Sequence, residues 1–140
     1  MTYLADVNVL LALAWSHHPC HGRARAWWAG LGKGEAFATC AITELGFVRI
    51  SLQPAFASAD IGQAKLALAQ LRTARPGHVF VADNLAADAL PPWVKAAQQT
   101  TDGHLAALAA SHGAKLATLD AGIPGALLIA DSKPDDTGRT

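Results

Sequence analysis

Four acidic residues stand in or beside apolar, structure-forming segments: Asp6, Glu44, Asp102 and Asp120. Only 16% of the 140 residues are charged, so carboxylates in such surroundings are conspicuous. Burying an unpaired carboxylate is costly, and such a group either takes up a proton or finds a cation. Several carboxylates at one place would repel each other unless a hard divalent cation neutralised them. The pattern therefore indicates a metal-dependent hydrolase.

The elements that would position these acids alternate between strands and helices. The pattern predicts strands at residues 2–9, 36–40, 78–82, 115–119 and 126–130, and helices around 10–15, from about 19, and at 43–52, 58–75 and 101–111. Such alternation predicts an α/β fold with a mostly parallel central sheet covered by helices on both faces. In sheets of this kind ligands bind at the carboxyl ends of the strands.

All four acids can face that edge. Asp6 lies near the exit of the first predicted strand, and Asp120 follows the strand at 115–119. Asp102 and Glu44 each fall in the first turn of a predicted helix. Each position also has an ordinary structural explanation as a helix cap, a first-turn acid or a turn residue. Four such acids at one edge favour a functional site over coincidence.

Composition limits the other possibilities. The length and the 51% apolar content predict one domain at residues 1–130, with residues 131–140 as a disordered polar tail. No apolar run reaches the ~18 residues that span a bilayer, and the N-terminus lacks the pattern of a signal peptide. We therefore expect a cytoplasmic protein. Because the net charge is zero, any nucleic acid would have to be held by a local basic patch.

Three segments resemble the PIN-domain ribonucleases, and among them the VapC-type toxins of bacterial toxin–antitoxin pairs. These are DVNVLLAL around Asp6, ITELGFVRI around Glu44, and TTDGHLAALAASHGAKLATLD, which ends at Asp120. The spacing D-x2-L-x2-LA-x3-G-x2-L-x-T-x-D from Asp102 to Asp120 is the most specific part. The resemblance extends from about Tyr3 to Ile129.

The resemblance implies a three-layer α/β/α fold and a Mg²⁺- or Mn²⁺-dependent endoribonuclease. Asp6, Glu44, Asp102 and Asp120 would be its catalytic acids. Of these, Asp6, Asp102 and Asp120 would be the metal ligands, and Glu44 would act through a water or orient the nucleophile. Asn8 and Thr118 match polar positions that help to orient the acids. Gly122 departs from the family pattern, because some members carry a further acid or Asn there, which makes a second metal less secure.

Partners also follow from the resemblance: an RNA substrate, a cognate antitoxin and a homodimer. Arg23, Arg25 and Arg49 are candidates for phosphate contacts, although arginines on a solvated helix face would look the same.

Two other functions remain open. A haloacid-dehalogenase-type phosphohydrolase also places an Asp at the end of its first strand, but it needs a second Asp where this chain has Asn8. A catalytically inert PIN-like domain that binds RNA or protein would keep the fold without the activity. A zinc site at His17, His18, Cys20 and His21 is disfavoured, because structural zinc needs two separated ligand pairs and no second pair exists.

Overall fold

The computed structural model describes residues 1–130, and the tail predicted at 131–140 lies outside the described residues. Five strands are present: β1 (Thr2–Ala5), β2 (Ala36–Cys40), β3 (Val79–Val81), β4 (Lys115–Thr118) and β5 (Leu127–Leu128). The helices are α1 (Val7–Ala14), α2 (His21–Ala29), α3 (Ala41–Ser51), α4 (Ile61–Thr73) and α5 (Thr100–Ser111). Two short 3-10 turns, Ala87–Ala89 and Ala97–Gln99, lie between β3 and α5.

The strands form one sheet in the order β3-β2-β1-β4-β5, and every neighbouring pair is parallel. Leu4 at the centre of the sheet is paired with Ala38 of β2 and Leu116 of β4. Because all five strands point the same way, their carboxyl ends meet at one edge, as the alternating pattern predicts.

Two apolar cores lie on opposite faces of this sheet. One joins α1, α2, α3 and α4 to side chains such as Ala5, Phe37 and Ala117. The other joins α5 to Leu4, Ala38 and their neighbours on the opposite face. The chain therefore has the three-layer α/β/α architecture that was predicted. Within residues 1–130, no helix combines the length and the apolar character that a membrane crossing needs.

The first strand is shorter than predicted. It ends at Ala5, and Asp6 begins α1 as its N-cap, with its Oδ1 atom accepting a hydrogen bond from the backbone N–H of Val7 at 2.8 Å. The apolar sequence that follows suits a buried strand as well as a buried helix. The N-cap at Asp6 therefore sets the boundary between β1 and α1.

The long amphipathic helix also begins later than predicted. Asp60, not Ser58, caps α4: its carboxylate accepts from the N–H of Gln63 at 2.7 Å, and the Gln63 side chain accepts from the N–H of Asp60 at 2.9 Å. Ser58 has a φ of 50°, in the left-handed region, and stands outside the helix. A reciprocal capping pair satisfies two unpaired N–H groups, which a lone serine cannot do.

Three large apolar side chains of α3 and α4 are exposed. Leu45 of α3 and Leu66 of α4 are 70% and 60% exposed, and Ile61 is 52% exposed. Leu45 and Leu66 line a groove of about 720 Å³ between the two helices, together with the exposed Phe80 of β3. Helical spacing cannot separate a face that packs on the sheet from an apolar face that is left open. Such a surface is typical of a contact with another protein.

Gly103 allows α5 to pack against the segment that precedes it. A Cβ atom at this position would overlap Cγ2 of Val94 and lie 3.3 Å from Cδ of Pro91. We expect Gly103→Ala to lower the free energy of unfolding by about 1–3 kcal/mol, as overpacking typically does. Urea unfolding in EDTA measures this effect. Gly22→Ala is the control, because nothing lies within 4 Å of that position in α2, and it should be neutral or stabilising.

Candidate active site

Asp6 lies at the carboxyl end of the central strand and is 7% exposed. Its backbone N–H donates to the carbonyl of Ala117 at 2.9 Å, which ties it to β4. Its Oδ2 atom accepts from the Thr118 hydroxyl at 2.8 Å. Burial raises the pKa of Asp6, the hydrogen bonds from Thr118 and Val7 oppose that rise, and the negative charge of Asp120 adds to it. The cap position and the candidate ligand position are therefore the same residue.

Thr118 joins two of the acids. Its hydroxyl, which is fully buried, donates to Asp6 and accepts from the backbone N–H of Asp120 at 3.0 Å. Asp120 is exposed, and its Oδ1 atom accepts from the N–H of Gly122 at 2.9 Å. Asn8 lies beside them, where its Oδ1 atom accepts from the N–H of Leu119 at 3.4 Å. Both predicted supporting residues thus contact the segment that ends at Asp120.

Asp102 lies in the first turn of α5, on the other face of the sheet from α3 and α4. Partial burial raises its pKa, and the charges of Asp6 and Asp120 raise it further. In residues 1–130 its carboxylate accepts no hydrogen bond and pairs with no cation. The three aspartates therefore share one electrostatic site without a positive charge from the described part of the chain to compensate them.

This donor set suits a hard divalent cation, because carboxylate oxygens are the ligands that Mg²⁺ prefers. In the described part of the chain, no three His, Cys, Asp or Glu side chains converge closely enough to enclose an ion by themselves. Mg²⁺ keeps several of its waters and is usually held through one or two carboxylates. An open set of acids that repel each other electrostatically fits such an ion.

Glu44 lies in the first turn of α3, as predicted, but its carboxylate has its own partners. The Arg72 guanidinium donates to Oε1 at 3.1 Å and to Oε2 at 3.3 Å, and the Thr39 hydroxyl donates to Oε2 at 2.6 Å. His78 lies 2.8 Å from the same hydroxyl. The structure thus brings Asp6, Asp102 and Asp120 into one electrostatic group and pairs Glu44 with an arginine.

The three arginines proposed for phosphate contacts lie on α2 and α3. The Arg25 guanidinium lies 5.0 Å from the centre of the Trp28 ring, and Arg23 donates to the sulfur of Cys20 at 3.4 Å. Arg49 is exposed in the last turn of α3, at the opposite end of that helix from Glu44. Their contact with RNA stays a prediction.

The histidines near the start of α2 are used in local packing. The His18 Nδ1 atom accepts from the N–H of Cys20 at 3.0 Å, and the His21 Nδ1 atom lies 2.7 Å from the carbonyl of Ala12. The rings of His17 and His18 pack on Phe56. These contacts account for the motif without zinc.

Several polar residues at the site were not predicted from the sequence. Thr39, Arg72 and His78 surround Glu44, and His104 binds Asp83 at 2.5 Å, which ties α5 to the segment after β3. That hydrogen bond is the main reason why the pKa of Asp83 is lowered. For Thr39 the sequence contains one indication of a functional role, because its hydroxyl lies near the end of the apolar strand AFATC. For Arg72 the sequence contains no such indication, since this residue is 28 positions away from its partner Glu44.

Comparison with known proteins finds one matching family model and several similar ribonucleases. The family model described as the PIN domain matches residues 3–125. Ribonuclease VapC38 of Mycobacterium tuberculosis is 44% identical over 126 residues, covering 86% of each chain. Ribonuclease VapC39 of the same species is 39% identical over 134 residues, covering 88% of this chain and 91% of that one.

Two solved structures share the fold at low sequence identity. The sarcin–ricin loop cleaving toxin VapC20 of Mycobacterium tuberculosis superimposes with a TM-score of 0.62 at 15% identity, covering 86% of this chain and 92% of that one. VapBC2 of Rickettsia felis, bound to a DNA fragment from its promoter, gives a TM-score of 0.60 at 16% identity, covering 91% and 97%.

Proposed function

Because the chain belongs to the PIN-domain family, among its VapC proteins, we propose that it is a metal-dependent endoribonuclease toxin of a toxin–antitoxin system. The relatives named as ribonucleases support the hydrolysis of RNA.

One observation carries the proposal: three aspartates without a compensating cation in residues 1–130 share the carboxyl edge of the sheet. Burial and mutual repulsion raise the pKa of both Asp6 and Asp102. A protein that needed only stability would neutralise such a group or leave it in water. A divalent cation bound at this edge would relieve the repulsion between the aspartate carboxylates.

The residues of the site would have different roles. Asp6, Asp102 and Asp120 would hold Mg²⁺ or Mn²⁺ on their carboxylate oxygens. The Thr118 hydroxyl fixes one oxygen of Asp6 and the backbone of Asp120, and Asn8 fixes the backbone before Asp120. A bound divalent cation supplies polarisation of a phosphate oxygen and a lower pKa for a water bound to it. Glu44, whose carboxylate is held by Arg72 and Thr39, would orient the attacking water.

The substrate we propose is RNA with an accessible single-stranded segment, because folded RNA is read mainly where its bases are unstacked. With no net charge on the chain, the phosphates need local cations. Arg23, Arg25 and Arg49 are the proposed contacts.

A cognate antitoxin and a homodimer complete the proposal, together with a cytoplasmic location. The groove with the exposed Leu45, Leu66 and Phe80 side chains supports an association with protein, since exposed apolar patches of this kind are usually covered.

The two alternatives make different demands. A haloacid-dehalogenase-type enzyme needs a second acid at position 8, whereas Asn8 stands there and accepts a backbone hydrogen bond. An inert binding domain would not need Asp6, Asp102 and Asp120 to retain their mutual repulsion. The metal-dependent nuclease is therefore favoured over both.

Cleavage of an RNA panel tests the proposal. Purified protein is incubated with labelled transfer RNA, ribosomal RNA fragments and unstructured RNA, in Mg²⁺, in Mn²⁺ and in EDTA. We expect cuts at discrete positions in at least one RNA with metal, and none in EDTA. Hydrolysis of p-nitrophenyl phosphate without RNA cleavage would support the phosphohydrolase instead. Binding of RNA without any cleavage, by folded protein in both metals, would support the inert domain.

A further inference from the structure

Glu44 is held from two sides by groups of this chain. Arg72 of α4 contacts both of its carboxylate oxygens, at 3.1 and 3.3 Å, and Thr39 of β2 donates to one of them at 2.6 Å. The Glu44 side chain is 16% exposed and that of Arg72 is 39% exposed. Charge-assisted hydrogen bonds of this kind are short and strong, so they fix the direction of the carboxylate.

A third residue fixes the threonine. Thr39 is fully buried and has one hydroxyl proton, which it gives to Glu44. Its contact with the Nε2 atom of His78 at 2.8 Å therefore requires His78 to donate. The Nε2 atom of His78 therefore carries a proton, and burial lowers the pKa of the ring. The chain of donors runs from His78 through Thr39 to Glu44.

Glu44 and Asp102 lie on opposite faces of the sheet. Glu44 and Arg72 both line the groove between α3 and α4, whereas Asp102 begins α5 on the other face of the sheet. The charge of Glu44 is compensated locally by Arg72.

We propose that Arg72 is an internal counterion that keeps Glu44 out of the cation's coordination, so that Asp6, Asp102 and Asp120 alone hold the ion. This inference rests on the proposed function. Arg72 is then a positioning residue, which acts through Glu44. Removing its charge frees a carboxylate that can turn towards the cation and add a ligand to it.

A calorimetric titration of the protein with Mn²⁺, in the absence of RNA, tests the inference. We expect Glu44→Gln to change the Mn²⁺ dissociation constant by less than about twofold, since Glu44 is not a ligand. Arg72→Gln should tighten Mn²⁺ binding about tenfold, which corresponds to about 1.4 kcal/mol. In the double variant Arg72→Gln/Glu44→Gln the gain should disappear, because a double-mutant cycle isolates the coupling between the two side chains.

Lys65→Gln is the matched control, because Lys65 is an exposed cation of the same helix and the same groove. It removes one positive charge without touching Glu44, so Mn²⁺ binding should stay within twofold of that of the wild-type protein. Equal tightening in Lys65→Gln and Arg72→Gln would reduce the effect to net charge and overturn the inference. Arg72→Lys, which keeps the charge, should bind Mn²⁺ like the wild-type protein.

Two further outcomes separate this inference from the proposed function. If Glu44→Gln weakens Mn²⁺ binding as strongly as Asp102→Asn, Glu44 is a ligand and the role of Arg72 is wrong. That comparison holds even if Arg72→Gln fails to fold. If the wild-type protein and Asp102→Asn bind Mn²⁺ equally weakly, the metal site itself is wrong, and the inference fails with it.

Discussion

Asp6→Asn should lower the rate of RNA cleavage by more than about 100-fold, because substitutions of the outer partners of a metal site alone cost 10–100-fold. The substitution keeps the shape of the side chain. Asparagine caps helices as well as aspartate does, and its carbonyl oxygen can still accept from Val7. What it removes is the negative charge and the second oxygen, which accepts from the Thr118 hydroxyl. Initial rates on the RNA that the wild-type protein cleaves, in saturating Mg²⁺, measure the loss.

Asp60→Asn provides the matched control for this substitution. Asp60 is also an N-cap aspartate, and it accepts from the N–H of Gln63 at the start of α4. Its substitution should leave the cleavage rate within about twofold, because it belongs to no group of repelling acids. If Asp6→Asn keeps more than a tenth of the wild-type rate, or if both variants lose activity together, the acid cluster is not the catalytic site.

Divalent metal should stabilise the folded protein, and the effect should depend on Asp102. A ligand that binds only the folded state adds about 2.7 kcal/mol when its concentration is 100 times its dissociation constant. We expect the melting temperature of the wild-type protein to rise by several degrees in saturating Mn²⁺. Asp102→Asn should lose most of this rise, which thermal unfolding followed by circular dichroism will measure.

In EDTA, where no divalent metal is bound, Asp102→Asn should be more stable than the wild-type protein near neutral pH. The pKa of Asp102 is raised above its ordinary value of 3.8 in the folded protein, so the folded state binds this proton more tightly than the unfolded state does. Its contribution to stability is therefore present at low pH and is lost as the pH rises through the folded pKa. Asp102→Asn should gain stability over the wild-type protein as the pH rises from about 4 to 7. A variant that is less stable than the wild-type protein at pH 7 in EDTA would contradict the account.

The positions of the three aspartates could be predicted from the sequence because the fold class determines them. Once strands and helices alternate, a residue after β4 and a residue at the end of β1 must meet at one edge. A helix cap and a functional site are competing explanations for Asp6 in the sequence. In the structure one carboxylate serves both, since each of its oxygens has a separate partner.

The surroundings of Glu44 could not be predicted in the same way. Its position in the first turn of α3 follows from the order of elements, but the direction of its side chain depends on Arg72, which reaches it across the space between α3 and α4. The same space explains why Leu45 and Leu66 are exposed. Sequence periodicity identifies apolar faces, whereas the gap between two helices depends on tertiary packing.

Diffraction from crystals soaked in Mn²⁺, recorded where manganese scatters anomalously, tests the central claim most directly. We predict an anomalous peak at the carboxyl edge of the sheet, within coordination distance of oxygens from Asp6, Asp102 or Asp120, with water completing the shell. Glu44 should still be bound to Arg72 in the same map. No peak at these aspartates in saturating Mn²⁺, or a peak at His17 and His18 instead, would contradict the account.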